Sequence, residues 1–232
     1  MKKLIIATLS TASSLMLFAQ PINAEVVDSD TSDVGIRFNI DGPEKPGPGP
    51  YKDNLTLVWT PSKFDFGKQE PQANIATYSN KVANKQYLVV NDDRDTGEES
   101  SAWKITATLS ELKATTDKDT LSAKLTFGLS SPQAYAIGEV DEDTNDYLPN
   151  HPEGNLSALP EANNIEIANN VVLEAGSTSA VNILSKTKAD KYKGGIATTV
   201  DNAKLVVVDS KGSAASGKSF KGTVTWNLDN TY

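Results

Sequence analysis

Residues 218–228 read KSFKGTVTWNL. Phe220, Gly222, Val224, Trp226 and Leu228 fall on one side of this stretch, and Lys221, Thr223, Thr225 and Asn227 on the other. A period of two with one apolar side is the pattern of a half-buried strand. Residues 101–109, SAWKITATL, repeat the layout. Trp103, Ile105, Ala107 and Leu109 share one face there, and Lys104, Thr106 and Thr108 the other. Two strands with one tryptophan each on the apolar side predict the frame of a sandwich, in which indoles fill the space between sheets; the alternative for each indole is a platform on which a sugar ring stacks.

The rest of the chain extends that frame. Short apolar runs are predicted as strands at Val34–Ile40, Leu55–Trp59, Gln86–Val90, Ala123–Leu129, Ser179–Leu184, Ile196–Val200 and Ala203–Val208, the last two joined by an Asp201-Asn202 turn. Ile165, Ile167, Val171 and Leu173 outline a further short pair, and a weak helical turn is read within residues 68–85. The count comes to about eight to ten strands without a long helix, which predicts an all-β fold, an antiparallel β-sandwich-like single domain with long loops. Residues 41–50, DGPEKPGPGP, carry too much proline and glycine for a ladder or a helix and read as an extended insertion. Residues 130–160 read as one long irregular excursion, and 186–195 as a charged loop.

Met1–Ala24 has a Lys2-Lys3 start, a short apolar stretch and a small residue at its end, the layout of a secretory signal peptide. The mature domain is therefore expected to span 25–232, outside the cytoplasm. The chain carries 22 Lys and Arg against 30 Asp and Glu, and removal of Lys2 and Lys3 leaves a net charge of −10. That balance argues against nucleic acid and anionic membrane surfaces as partners, and no direct membrane insertion is expected. There is no cysteine, so the core alone must stabilise the fold. No LPxTG-like signal or lipobox cysteine is read, and any retention on the cell is expected to be non-covalent.

Catalytic chemistry finds little support. The single histidine, His151, stands in NHPEG without a nucleophile motif, whereas a triad needs three convergent groups. Glu98, Glu99, Asp141, Glu142 and Asp143 lie in polar runs, where a carboxylate stays solvated and ionised. Asn91, Asp93 and Asp95 alternate as in a calcium loop. Thr96 then replaces the required glycine and Ala102 the bidentate glutamate, leaving a weak loop-stapling site against a solvated loop. No cofactor is expected. Trp59, Tyr135 and Tyr147 are the aromatics expected at the surface, and Trp59, just before a turn, is the leading candidate to contact a ligand.

Three segments together resemble the WxL domain of Gram-positive surface proteins. The first is LTLVWTPSKFDFG, residues 55–67, with Pro61, Ser62, Phe64, Asp65, Phe66 and Gly67 at the matching positions. The second is residues 87–110, with an Asp93-Arg94 step and Trp103-Lys104-Ile105, where isoleucine replaces leucine. The third is residues 222–232, with Trp226-Asn227-Leu228 supplying the W-x-L tripeptide. The resemblance implies a non-enzymatic protein held non-covalently on the cell wall, with peptidoglycan as ligand. It also implies a surface adhesion complex with a WxL-interacting surface protein and small wall-anchored proteins, reaching toward host extracellular matrix. The alternative is a docking module that binds an anchored partner and meets the wall only indirectly.

Overall fold

The computed structural model describes residues 25–35, 45–72, 74–94, 102–160, 164–187, 192–208, 215 and 217–231. The expected signal peptide, Met1–Ala24, lies outside the described residues, as do 36–40 of the first expected strand. In chain order the strands are β1 (Glu25–Gly35), β2 (Leu55–Trp59), β3 (Lys63–Asp65), β4 (Ala76–Ser79), β5 (Gln86–Asp92), β6 (Ala102–Leu109), β7 (Leu112–Ala114) and β8 (Thr120–Leu121). They continue as β9 (Ala123–Leu129), β10 (Gln133–Tyr135), β11 (Leu156–Ser157), β12 (Ile165–Ile167), β13 (Val171–Glu174), β14 (Val181–Lys186), β15 (Gly194–Val207) and β16 (Phe220–Thr231). No helix occurs among the described residues.

Two sheets result, and the all-β sandwich holds. The first runs β12-β14-β6-β16-β1-β3, with β7 on β16 and β8 on β7. The second runs β11-β10-β15-β5-β2, with β4 and β9 on the far half of β15 and β13 on β9. The tryptophan strands β6 and β16 are antiparallel neighbours at the centre of the first sheet, with Leu228 opposite Ile105 and Trp226 opposite Ala107. Their apolar faces look into the space between the sheets, where Trp103, Ile105, Ala107, Val224, Trp226 and Leu228 are all fully buried. The inward faces follow the alternation in the sequence. Phe127 meets Trp226 at 6.0 Å and stacks on Phe64 at 6.1 Å.

The strand count of eight to ten was too low, because the sandwich is finished by pieces of two to four residues that carry no period of their own. The weak helical turn is β4, held by β15. Residues 194–207 form one strand rather than two: a bulge between Asp201 and Lys204, with Asn202 at φ 52°, bends β15 without ending it. The acidic stretch before the first expected strand is itself β1, paired to β16 from Glu25↔Asn230 to Gly35↔Lys221. Of the proline-rich insertion, residues 45–50 are described, and they are no free spacer. Gly47 donates its N–H to Val58 O at 2.8 Å, and a Cβ at Gly47 would come within 2.7 Å of Leu57 O.

Candidate functional site

The second sheet is covered on both faces. In β5, Leu88 and Val90 point into the inter-sheet core, while Tyr87 and Val89 join a separate outer cluster. That cluster holds Tyr51, Val58, Trp59, Tyr87, Val89, Tyr135 and Ala197, flanked by Ile137, Tyr147 and Leu156. A bulge between Leu57 and Trp59 breaks the alternation of β2, so Val58 and Trp59 both belong to it. The Tyr135 ring lies over Gly195, where a Cβ would meet it at 2.6 Å. The Trp59 indole N–H donates to the Tyr135 hydroxyl at 3.3 Å, which donates to Asn150 O at 2.6 Å. Burial, opposed by the Trp59 hydrogen bond and reinforced by nearby Tyr51, pushes the Tyr135 phenol up to about 12. It therefore stays a neutral donor at neutral pH. The His151 ring packs edge-on against Trp59 at 5.2 Å and against Tyr87 at 5.8 Å.

The cover over this cluster is the excursion of residues 130–160. It is fastened by Asp146, whose carboxylate accepts the N–H groups of Tyr51, Lys52 and Tyr147 at 2.8–3.1 Å. Partial burial raises the Asp146 carboxyl, but those three N–H groups outweigh it and hold the group below the usual carboxylate range. Lys52 Nζ donates to Asn145 Oδ1 at 2.9 Å beside it. Gly138 is required where the two arms of the excursion cross: at φ 124°, a Cβ there would stand 2.1 Å from Leu148 O.

This cover corrects the expectation for the surface aromatics. Trp59 is 5% exposed and Tyr135 4%, because the excursion lies over them rather than projecting into solvent. Tyr147 is half-buried and bonded to Asp93. The exposed apolar side chains here are instead Val140 (40%) and Leu148 (57%), on the two arms of a turn that carries Asp141-Glu142-Asp143. Val140 between Glu139 and Asp141, and Leu148 between Tyr147 and Pro149, belong to no periodic run.

A second polar feature sits where β5, β14 and β16 end. Lys186 is fully buried, with Nζ 3.1 Å from Asp92 and 2.6 Å from Tyr192 O. Arg94 grips Asp92 with two N–H groups at 2.8 and 2.9 Å and reaches Asn230 Oδ1 at 2.5 Å. Burial pushes the Asp92 carboxyl up, but the Arg94 hydrogen bonds and the Lys186 charge prevail and hold it below its ordinary range. Lys186 thus belongs to a strand and a buried ion pair, not to a charged loop. Of the Asp93-Arg94 step, Arg94 bonds Asp92 and Asn230. Leu88, Val90 and Asp92 share a face by strict alternation, a signal that was legible in the sequence. Asp93 instead accepts the Asp53 N–H at 2.8 Å. For calcium, Asn91 is buried in β5 and Asp95 lies outside the described residues. Among the described residues no three His, Cys, Asp or Glu side chains gather as a metal site.

The remaining motif residues build the frame. Phe64 and Phe66 are buried in the inter-sheet core. Asp65 accepts the Gly67 N–H at 2.8 Å, and Gly67 takes φ 64°, closing a turn. The buried Pro61 offers its carbonyl to Ser32 on β1. Trp226 donates to Ser32 Oγ at 2.6 Å. On β6, Ile105 stands opposite Leu228 and Trp103 opposite Asn230.

These features define an all-β two-sheet module with an inter-sheet core and a second, outer cluster. The model of the family described as WxL domain surface cell wall-binding matches residues 23–231, and the chain belongs to that family. No curated protein and no solved structure matches the chain. As a member of that family the protein is non-catalytic, extracellular and associated with the cell wall.

Proposed function

We propose that the wall ligand is peptidoglycan and that it is met without covalent attachment by the excursion of residues 130–160. The observation that carries this reading is the exposed pair Val140 and Leu148 beside half-buried Tyr147, raised on a cover whose underside is fixed by Trp59 and Tyr135. Apolar and aromatic side chains on a rigid base suit the C–H faces of sugar rings. Trp59 acts here as support, not contact.

A second reading assigns the same face to an anchored protein, such as a WxL-interacting surface protein or a small wall-anchored one. The acidic Asp141-Glu142-Asp143 turn favours it, because a neutral glycan offers no charge to meet those carboxylates. Participation in an adhesion complex that reaches host extracellular matrix belongs to this second reading.

Purified 25–232 protein is to be sedimented with peptidoglycan stripped of teichoic acid and protein. Saturable cosedimentation that survives moderate salt, lost in a folded Val140→Asp/Leu148→Asp variant, is the expected result. Equal retention of that variant sinks the assignment of the face. Absence of any cosedimentation by the folded parent turns the case to the protein-docking reading.

A further inference from the structure

β1 is held differently from every other long strand. It pairs with β16 along nearly its whole length and with β3 at its far end, and the side chains of residues 26–32 stand outside both apolar clusters. Its two first valines point outward, Val26 at 53% and Val27 at 41% exposure. Beyond the backbone ladder, its attachment is a row of short polar side chains at every second position. Asp28 accepts the Leu57 N–H at 2.7 Å, Asp30 accepts the Thr60 hydroxyl at 2.5 Å, and Ser32 accepts the Trp226 indole N–H at 2.6 Å while donating to Pro61 O.

A strand held over residues 28–32 by hydrogen bonds leaves a defined vacancy when it departs. The free edge of β16 shows a row of backbone donors and acceptors. The Trp226 N–H, the Leu57 N–H and the Pro61 carbonyl lose their partners beside it. Buried polar groups left in this condition are costly, so the slot demands a replacement strand. A matching strand must carry acceptors at three alternate positions in the order Asp, Asp, Ser. The β1 of another copy has that order, and exchange of identical elements restores every contact.

We propose that β1 is an exchangeable strand, and that copies of this protein link to one another by inserting the β1 of one copy between β16 and β3 of the next. The linkage adds no new interface chemistry, and its driving force is the high local concentration on a crowded wall.

The chain lacks cysteine, so introduced thiols report without background. Thr31 lies opposite Thr225 in the register of β1 and β16, a separation that a disulfide spans. Mature copies carrying Thr31→Cys alone and Thr225→Cys alone are mixed at high concentration in urea below the main transition, diluted and oxidised. A covalent dimer between the two kinds is expected. Its formation is blocked when each acceptor is a Thr31→Cys/Thr225→Cys copy oxidised beforehand, which locks its own strand in place. Ser32→Ala, which removes both hydrogen bonds of that hydroxyl, speeds the linking by about tenfold. Amide exchange under the same urea is the companion measurement: β1 amides are expected to open while those of β6 and β14 stay protected. A missing dimer under conditions where β1 has opened overturns the proposal. So do β1 amides that exchange only with the whole fold.

Discussion

The two apolar clusters of this molecule lie on opposite faces of one sheet and are assembled by different rules. The inter-sheet cluster is made by alternation within strands: Trp103, Ile105, Ala107 and Leu109 on β6 face Leu125 and Phe127 of the opposite sheet. The outer cluster is made by a cover. Its members on β2, β5 and β15 occupy positions that alternation would send to solvent, and they are buried because residues 130–160 fold back and Asp146 fastens them to Tyr51 and Lys52. The first depends on side-chain volume and the second on a few polar attachments. The difference teaches that loss of the outer cluster can be local, while loss of the inner one is global.

The largest effect is expected at Trp226. Trp226→Ala removes a fully buried indole and should cost about 3–5 kcal/mol. A denaturant midpoint that falls while the transition stays single supports the inner cluster as the cooperative core, and a midpoint equal to the parent's breaks the comparison. Next comes Lys186→Ala, which leaves Asp92 buried with Arg94 alone. It should cost about 3 kcal/mol, read by the same titration. Asp146→Ala is expected to cost about 2 kcal/mol from three lost charge-assisted bonds. Its sharper readout is amide exchange: Tyr51, Lys52 and Asn150 should lose protection while β6 and β16 keep theirs. Uniform loss across both sheets would mean that the outer cluster is not separable.

Titration sharpens the contrast with the smallest perturbation. Tyr135 has a folded pKa raised to about 12, against about 10 for a free phenol. Its contribution is fully present below about pH 10 and is lost as pH rises through its folded value. The inter-sheet cluster contains no fully buried tyrosine. Alkali should therefore release tyrosinate absorbance from the outer cluster before the far-ultraviolet signal of the sheets changes. At the acid end, Asp92 and Asp146 both lie below the usual carboxylate range. Their contribution is present above about pH 4 and fades as pH falls through their folded values. Asp92→Asn should flatten that acid limb, and an unchanged limb would remove Asp92 from the account.

The inner cluster was legible because a half-buried strand writes its burial into every second residue. Trp103 and Trp226 were readable on that ground alone. The outer cluster was not, for three physical reasons. A strand buried on both faces, such as QYLVV, shows a continuous apolar run that does not say which side chain goes where. The contact between Trp59 and Tyr135 spans most of the distance from β2 to β10 and leaves no local trace. Asp146, the fastening residue, looks like any carboxylate in an acidic loop until its three N–H partners are known. β1 was missed for a related reason. Asp28, Asp30 and Ser32 alternate with Ser29 and Thr31, so both faces are polar and the period of two is invisible. The ion pair at Asp92 was the opposite case: the alternation pointed to it, and the neighbouring Asp93 drew attention away.

The ladder between β1 and β16 has one more consequence, and it is mechanical. Glu25 stands opposite Asn230, and Gly35 opposite Lys221. A pull that separates residue 25 from residue 230 acts across the ladder, at right angles to the strands. The rungs then bear the load one after another, as in a zipper, rather than all together as they would in shear. The module yields early and gradually to tension applied at that corner, while the tryptophan strands behind it remain paired.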